Sequence, residues 1–136
     1  MPFVLDASVA ATWLMPDEAN TRADAAYALF PDDSAVAPGL WWYEIRNIFL
    51  MNERRGRLDS IQTNRALALL AALPIQLDHG ASEPALLALA REHKLTAYDA
   101  AYLELAQREN IALATLDEAL ARAARAAGVA LVGDEA

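Results

Sequence analysis

The chain has no cysteine, a single lysine and two histidines among its 136 residues. The missing cysteine excludes disulfides, thiolate metal sites and cysteine nucleophiles together. No apolar run approaches the roughly 20 residues that a membrane span needs, because charged or polar residues interrupt every stretch. The 56% hydrophobic share is therefore expected to fill the core of a soluble protein with no membrane association. The N-terminus, MPFVLDAS, has no basic segment ahead of its apolar residues, so no secretory signal is visible and a cytoplasmic location is expected. Positive charge is also scarce: the formal net charge is −8, which excludes broad nonspecific coating of nucleic acid, since such binding needs many Lys and Arg contacts to phosphate. Any contact with nucleic acid must be local. Ten of the eleven basic residues are Arg and only Lys94 is Lys, a choice that suits forked contacts to phosphate or carboxylate but also follows from codon bias.

The length sets one domain, residues 1–136, with a single sizeable core. Short β-type runs recur at Phe3 to Leu5, Ala35 to Ala37, Ile75 to Leu77, Ile111 to Ala114 and Val129 to Val132. Helical spacing predicts helices over Val9 to Leu14, Glu18 to Phe30, Leu40 to Arg55 and Ser60 to Leu73. It recurs in the apolar stripes Leu86, Leu89, Ala90 and Tyr102, Leu105, Ala106. Pro16, Pro31, Pro38, Gly39, Gly56 and Pro74 punctuate these segments, and Gly133 to Ala136 is expected to fray. Strands alternating with helices imply crossover connections and a mostly parallel sheet covered on both faces, hence an α/β fold with a three-layer α/β/α sandwich.

Most acidic residues read as solvated surface, among them Asp17, Glu18, Asp32, Asp33, Glu53, Glu92 and Glu109. Four do not. Asp6 ends the apolar run PFVL, Glu44 sits inside LWWYEIRNIF, Asp99 sits in AYDAAYLEL and Asp117 follows IALATL, each a charge set against surface that should be buried. Asp6 and Asp117 come at the C-terminal ends of predicted strands, the edge of an open parallel sheet where sites form. Glu44 and Asp99 fall in first turns of helices that can point at the same edge. Four carboxylates meeting there repel one another, and a hard divalent cation relieves that repulsion. Oxygen-only donors favour Mg²⁺, with Mn²⁺ possible, over Zn²⁺. His79 and His93 lie away from the four acids. Each acid also has a local alternative: an Asx turn at Asp6 with Ser8 as a cap, a capping box from Thr96 to Asp99, and an N-cap at Asp117. Glu44 has none.

With those residues in place, the sequence resembles the PIN-domain family, and within it the VapC-type toxins of toxin–antitoxin pairs. The resemblance rests on four ordered patterns covering nearly the whole chain: VLDAS with Asp6 and Ser8, PGLWWYEIRN with Glu44 and Asn47, TAYDAAYLELA with Asp99, and ATLDEAL with Thr115 and Asp117. It implies a Mg²⁺-dependent endoribonuclease, usually a homodimer, held off by a small VapB-like antitoxin protein. On this reading Asp6, Glu44, Asp99 and Asp117 are catalytic and hold the metal, and phosphodiester hydrolysis uses water activated by that metal. Asn47 shares a helix face with Glu44 and is the expected orienter, Ser8 and Thr115 are expected to hydrogen-bond the neighbouring carboxylates, and Arg46 is expected to meet phosphate or an acid. Arg54, Arg55 and Arg57 form the densest basic patch, either an RNA contact or a helix C-terminus stabilised by cations. Trp41, Trp42 and Tyr43 are consecutive, so they spread around their helix and at least one must face something other than the core. Two rivals remain. A phosphatase of the haloacid dehalogenase kind needs Asp-x-Asp, and Ser8 stands where its second acid should be. A catalytically idle binding module is opposed by the intact acids.

Overall fold

The computed structural model describes residues 1–15 and 18–134. Pro16, Asp17, Glu135 and Ala136, with the punctuation, surface position and frayed end assigned to them above, lie outside the described residues. The elements run β1 (Phe3–Leu5), α1 (Ala7–Leu14), α2 (Thr21–Tyr27), β2 (Ala35–Pro38), α3 (Trp41–Arg54), α4 (Ser60–Ala71), β3 (Ile75–Asp78), α5 (Glu83–His93), α6 (Ala97–Glu109), β4 (Leu113–Ala114) and α7 (Glu118–Ala126).

All strand pairings are parallel and the order is β3-β2-β1-β4. The chain therefore steps from β1 outward to β2 and β3, then returns to the opposite side of β1 for β4. Such a reversal opens a crevice at the carboxyl ends of the two strands that flank it. Here those strands are β1 and β4, in register at Leu5 with Ala114. Phe3, Val4 and Leu5 are all buried, as a strand covered on both faces requires. Helix α6 lies on β1, β2 and β4 with α5 and α7 at its flanks, while α1 packs against α2 and α3. The expected α/β/α sandwich results. Among the described residues no helix is long and apolar enough to cross a membrane.

Helix ends follow local chemistry. The Asn20 side chain accepts the backbone N–H groups of Arg22 and Ala23, so α2 starts at Thr21 and not at Glu18, and it stops at Tyr27, short of Phe30. Phe30 instead turns into an aromatic cluster with Phe3, Trp13 and Tyr27. Asp59 and Gln62 form a reciprocal capping box at α4. Two expected strands are shorter than their sequence runs for one shared reason: the first residue of each run closes the helix before it. Ile111 donates its N–H to Ala106 of α6, and Val129 donates to Ala124 of α7. What remains is β4 at Leu113–Ala114, and a single parallel bridge from Leu113 to Leu131 in place of a fifth strand.

One acid departs from the sequence reading. Glu104, in α6, is 2% exposed and was not among the four singled out. Its carboxylate accepts from Arg108 Nε at 2.7 Å and from the Ser82 backbone N–H at 3.2 Å, and Arg108 reaches on to Asp78 at 2.7 Å. This chain of charges ties α6 to the head of α5 and the end of β3. The hydrogen bond from Arg108 holds the Asp78 carboxyl below its ordinary value of 3.8. A depressed carboxylate contributes its stability in full above that value and loses it as pH falls further. Urea unfolding of Asp78→Asn should therefore show a deficit at neutral pH that narrows below pH 3.8. Arg108→Ala, which strands the buried Glu104 charge, should cost about 3 kcal/mol at neutral pH.

Candidate active site

Asp6 is the residue directly after β1. It occupies the N-cap position of α1, yet its side chain makes no capping bond. Its Oδ2 instead accepts the hydroxyls of Thr115 at 2.6 Å and Ser8 at 2.9 Å. The two hydroxyls are held in turn. Ser8 Oγ accepts the Leu116 backbone N–H at 3.1 Å, and Thr115 Oγ1 accepts that of Asp117 at 3.0 Å. The carboxyl ends of β1 and β4 are thus stitched together through one carboxylate oxygen. Asp6 is 8% exposed, and burial pushes its carboxyl above the ordinary value; the two hydroxyl donors pull the other way and Asp117 adds repulsion.

Glu44 stands in the first turn of α3, which β2 launches from the same edge. Tyr102, fully buried in α6, donates its hydroxyl to Glu44 Oε1. Burial raises the Glu44 carboxyl, and Asp6 and Asp99 raise it further, while the Tyr102 hydrogen bond lowers it. Burial and the adjacent charges of Asp6 and Glu44 hold the Tyr102 phenol protonated, so it can serve as a donor at any working pH. Asp99 lies in the first turn of α6. Its backbone N–H donates to Thr96 Oγ1 at 3.1 Å without the reciprocal half of a capping box. Burial raises its carboxyl, followed by repulsion from Asp117 and Asp6, while the Thr96 side chain pulls it down. Asp117 does cap: its Oδ1 accepts the Leu120 N–H at 2.9 Å, the local role that its position before α7 allows. Asp6 is repelled by Asp117, Glu44 by Asp6 and Asp99, and Asp99 by Asp117 and Asp6, so the four acids lie about the crevice between β1 and β4.

The remaining residues divide. Ser8 and Thr115 reach the cluster through Asp6. Asn47 is exposed on α3 beside Glu44 and shares a shallow hollow with it. Arg46 does not turn to an acid: its guanidinium lies 3.6 Å over the Trp42 ring and donates to the Trp42 carbonyl at 3.0 Å. Among the described residues it forms no ion pair, because stacking on the neighbouring turn satisfies it within its own helix. Trp41 is buried, whereas Trp42 is 42% and Tyr43 72% exposed, as three consecutive rings on a helix require. Arg57 bonds Asn52 at 3.0 Å just beyond Gly56, whose φ of +73° ends α3, so the basic patch does sit at a helix terminus. His79 packs on Gly39, and His93 stands 3.9 Å from Glu92.

Tyr102 is the site residue that sequence spacing hides. It falls in the apolar stripe with Leu105 and Ala106 and so reads as core. The available signal was its position three residues after Asp99, which puts both on one face of the helix.

Among the described residues no group of three His, Cys, Asp or Glu side chains stands ready-made to hold a metal ion. The donor chemistry nonetheless fits a hard cation. All donors are carboxylate oxygens, they repel one another, and Mg²⁺ is commonly bound through one or two carboxylates with water completing its octahedron.

This parallel sheet, with acids gathered at its switch point, is an α/β domain of the PIN type. The chain belongs to the PIN domain family, which residues 3–126 match. Its likeness is to the VapC type: Ribonuclease VapC3 of Pyrobaculum aerophilum is 33% identical over 125 residues, 89% of this chain and 93% of that protein. A crystal structure from Pyrobaculum aerophilum superposes with a TM-score of 0.71 at 22% identity, over 90% of this chain and 84% of that one. Mycobacterium tuberculosis VapC20, a sarcin-ricin loop cleaving toxin, gives 0.61 at 15% identity over 89% and 94%. Both structures show the same fold.

The raised carboxyl of Asp6 has a consequence for stability. A group whose folded value lies above its unfolded one destabilises the ionised protein, and the penalty fades as pH falls toward the unfolded value of 3.8. Asp6→Asn keeps an oxygen for Ser8 and Thr115 but removes the charge. In metal-free buffer at neutral pH its Tm should exceed that of the wild type, with the gap closing as the melts are repeated toward pH 4. A variant that melts lower at neutral pH would show that Asp6 is not electrostatically strained.

Proposed function

We propose that the protein is a Mg²⁺-dependent endoribonuclease, with Mn²⁺ able to substitute, acting as the toxin of a type II toxin–antitoxin pair. The single observation that carries this reading is the convergence of Asp6, Glu44, Asp99 and Asp117 at the β1–β4 crevice of a PIN-family chain. The resemblance to a named ribonuclease over most of both chains supports it.

Asp6, Asp99 and Asp117, with Glu44 directly or through water, are the residues that would hold the metal. The chemistry a divalent cation supplies there is charge: it offsets the carboxylates, acidifies the attacking water and stabilises the leaving oxygen. The chain's own part is positional. Ser8 and Thr115 fix the direction of the Asp6 carboxylate and keep one of its oxygens occupied. The carboxylate that faces the attacking water can take its proton, and burial has raised those of Asp6, Glu44 and Asp99 toward that task. Asn47, exposed beside Glu44, would act as the orienter, through a neighbouring group or on the substrate itself. Because water attacks and not the ribose 2′-hydroxyl, the products should carry a 5′-phosphate and a 3′-hydroxyl.

The partners follow the same reading: RNA as substrate, a small VapB-like antitoxin protein, and a second copy of the chain in a homodimer. The exposed Trp42, Tyr43 and Leu50 on α3 offer apolar surface of the kind that protein partners cover.

The test is incubation of the purified, partner-free chain with total RNA and Mg²⁺ or Mn²⁺ beside Asp6→Asn. We expect cleavage that EDTA abolishes and a loss of at least about 100-fold in the variant, since the charge being removed belongs to the metal-binding set. Equal cleavage by both proteins would attribute the activity to a contaminant, and 2′,3′-cyclic phosphate ends would overturn the mechanism.

A further inference from the structure

Charge gives this chain little hold on RNA. The net charge is −8, and phosphate contacts draw their affinity from Lys and Arg that release counterions. A negative protein can use a second source: nucleobases stacked on aromatic rings, a contribution that needs neither a cation nor a particular sequence.

Tyr43 is a ring suited to that role. It is 72% exposed and directly precedes Glu44 in the first turn of α3. Trp42, Tyr43, Glu44, Arg46, Asn47 and Leu50 border one shallow hollow, so the ring and the carboxylate open onto the same space. The ring is also braced. Trp42 meets it edge to face with centroids 5.0 Å apart. Trp42 is itself pinned by Arg46, whose guanidinium lies 3.6 Å over it and donates to its carbonyl at 3.0 Å. A ring held in place before its ligand arrives loses less freedom on binding. Asn47 lies one helical turn on from Tyr43, on the same face, and is exposed with both a donor and an acceptor to offer a base edge. Of the exposed Trp42, Tyr43 and Leu50, Trp42 has Arg46 over its ring and Leu50 lies further along the helix. Tyr43 alone adjoins an acid of the crevice.

We propose that Tyr43 is a substrate-contact residue, the platform on which one unpaired nucleobase stacks beside the phosphate at the crevice, with Asn47 meeting the edge of that base. The inference rests on the ribonuclease reading given above and adds to it the residue that grips a single strand. A base within a duplex has both faces covered by its neighbours, so the platform selects a strand that is already unstacked.

The test is fluorescence anisotropy of a short, labelled single-stranded RNA of randomised sequence, and of a fully paired RNA duplex, in cold Mg²⁺ buffer with the strands checked on a gel for integrity. The full chain is compared with Tyr43→Ala and Tyr43→Phe. Because the ring is exposed, all three proteins should melt alike. Tyr43→Ala should weaken binding of the single strand on the order of tenfold, and Tyr43→Phe should keep the affinity of the wild type. The duplex should lose nothing. The dependence of affinity on salt should be the same with and without the ring, since a neutral side chain releases no counterions. Equal binding by wild type and Tyr43→Ala, an equal loss in Tyr43→Phe, a changed salt slope, or no binding of the single strand by the wild type would overturn the proposal. So would sedimentation in which Tyr43→Ala separates copies of the chain while its RNA binding is intact, which assigns the ring to a protein interface. Failure of the ribonuclease reading is seen separately, in a wild-type chain that binds the strand through Tyr43 but leaves total RNA uncut in Mg²⁺.

Discussion

Negative charge gathered at a buried sheet edge is the constraint around which this small domain is organised. A strand order that reverses beside β1 opens its crevice at the carboxyl ends of β1 and β4, and Asp6 is the first residue beyond β1. Burying a carboxylate there is costly unless its oxygens find donors. The donors come from Thr115 beyond β4 and Ser8 in α1, each of which also receives a backbone N–H from the β4–α7 connection. One carboxylate oxygen therefore serves as the knot between the two strands. The electrostatic strain it concentrates is shared with Glu44 and Asp99, whose carboxyls burial also raises.

Helix α6 carries the second half of the arrangement. It is buried on every side from Ala100 to Ala106, between the sheet and the helices at its flanks. Within that short span it places three polar groups that do different work. Asp99 faces the crevice from the first turn, Tyr102 reaches across to Glu44 on α3, and Glu104 turns to Arg108 and the α5 head. The site and the scaffold are thus held by the same helix. Shifts of α6 would move Asp99 and Glu44 together, because Tyr102 couples them.

The composition of the chain limits how RNA can be met. Net charge is negative, and several arginines are engaged elsewhere: Arg108 with Glu104 and Asp78, Arg125 and Arg22 with Asp134. Arg46, two residues from Glu44 along α3, is stacked on Trp42. On the proposed metal-dependent reading, a cation held at the crevice would reverse the local sign and add to what the remaining arginines offer phosphate.

Much of this was legible in the residues alone. Alternating apolar runs dictated a parallel three-layer fold, since buried parallel strands read as unbroken apolar stretches and their crossovers as helices. The four acids stood out because a charge beside FVL or inside WWYEIRNIF has no solvent explanation. Tertiary structure decided what spacing cannot express. Ile111 and Val129 close helices and do not extend strands, because a backbone N–H can serve only one acceptor well and the helix end is nearer. Glu104 is as buried as any acid here, yet it belongs to an ion pair and not to the crevice, a distinction set by which side of α6 it leaves. Tyr102 looks like core from sequence because its ring is core; only the folded chain shows that its hydroxyl emerges at Glu44. A carboxylate's identity is written in the sequence, but the partner of each of its oxygens depends on neighbours as many as 109 positions away, as for Asp6 and Thr115, and such neighbours meet only once the sheet has closed.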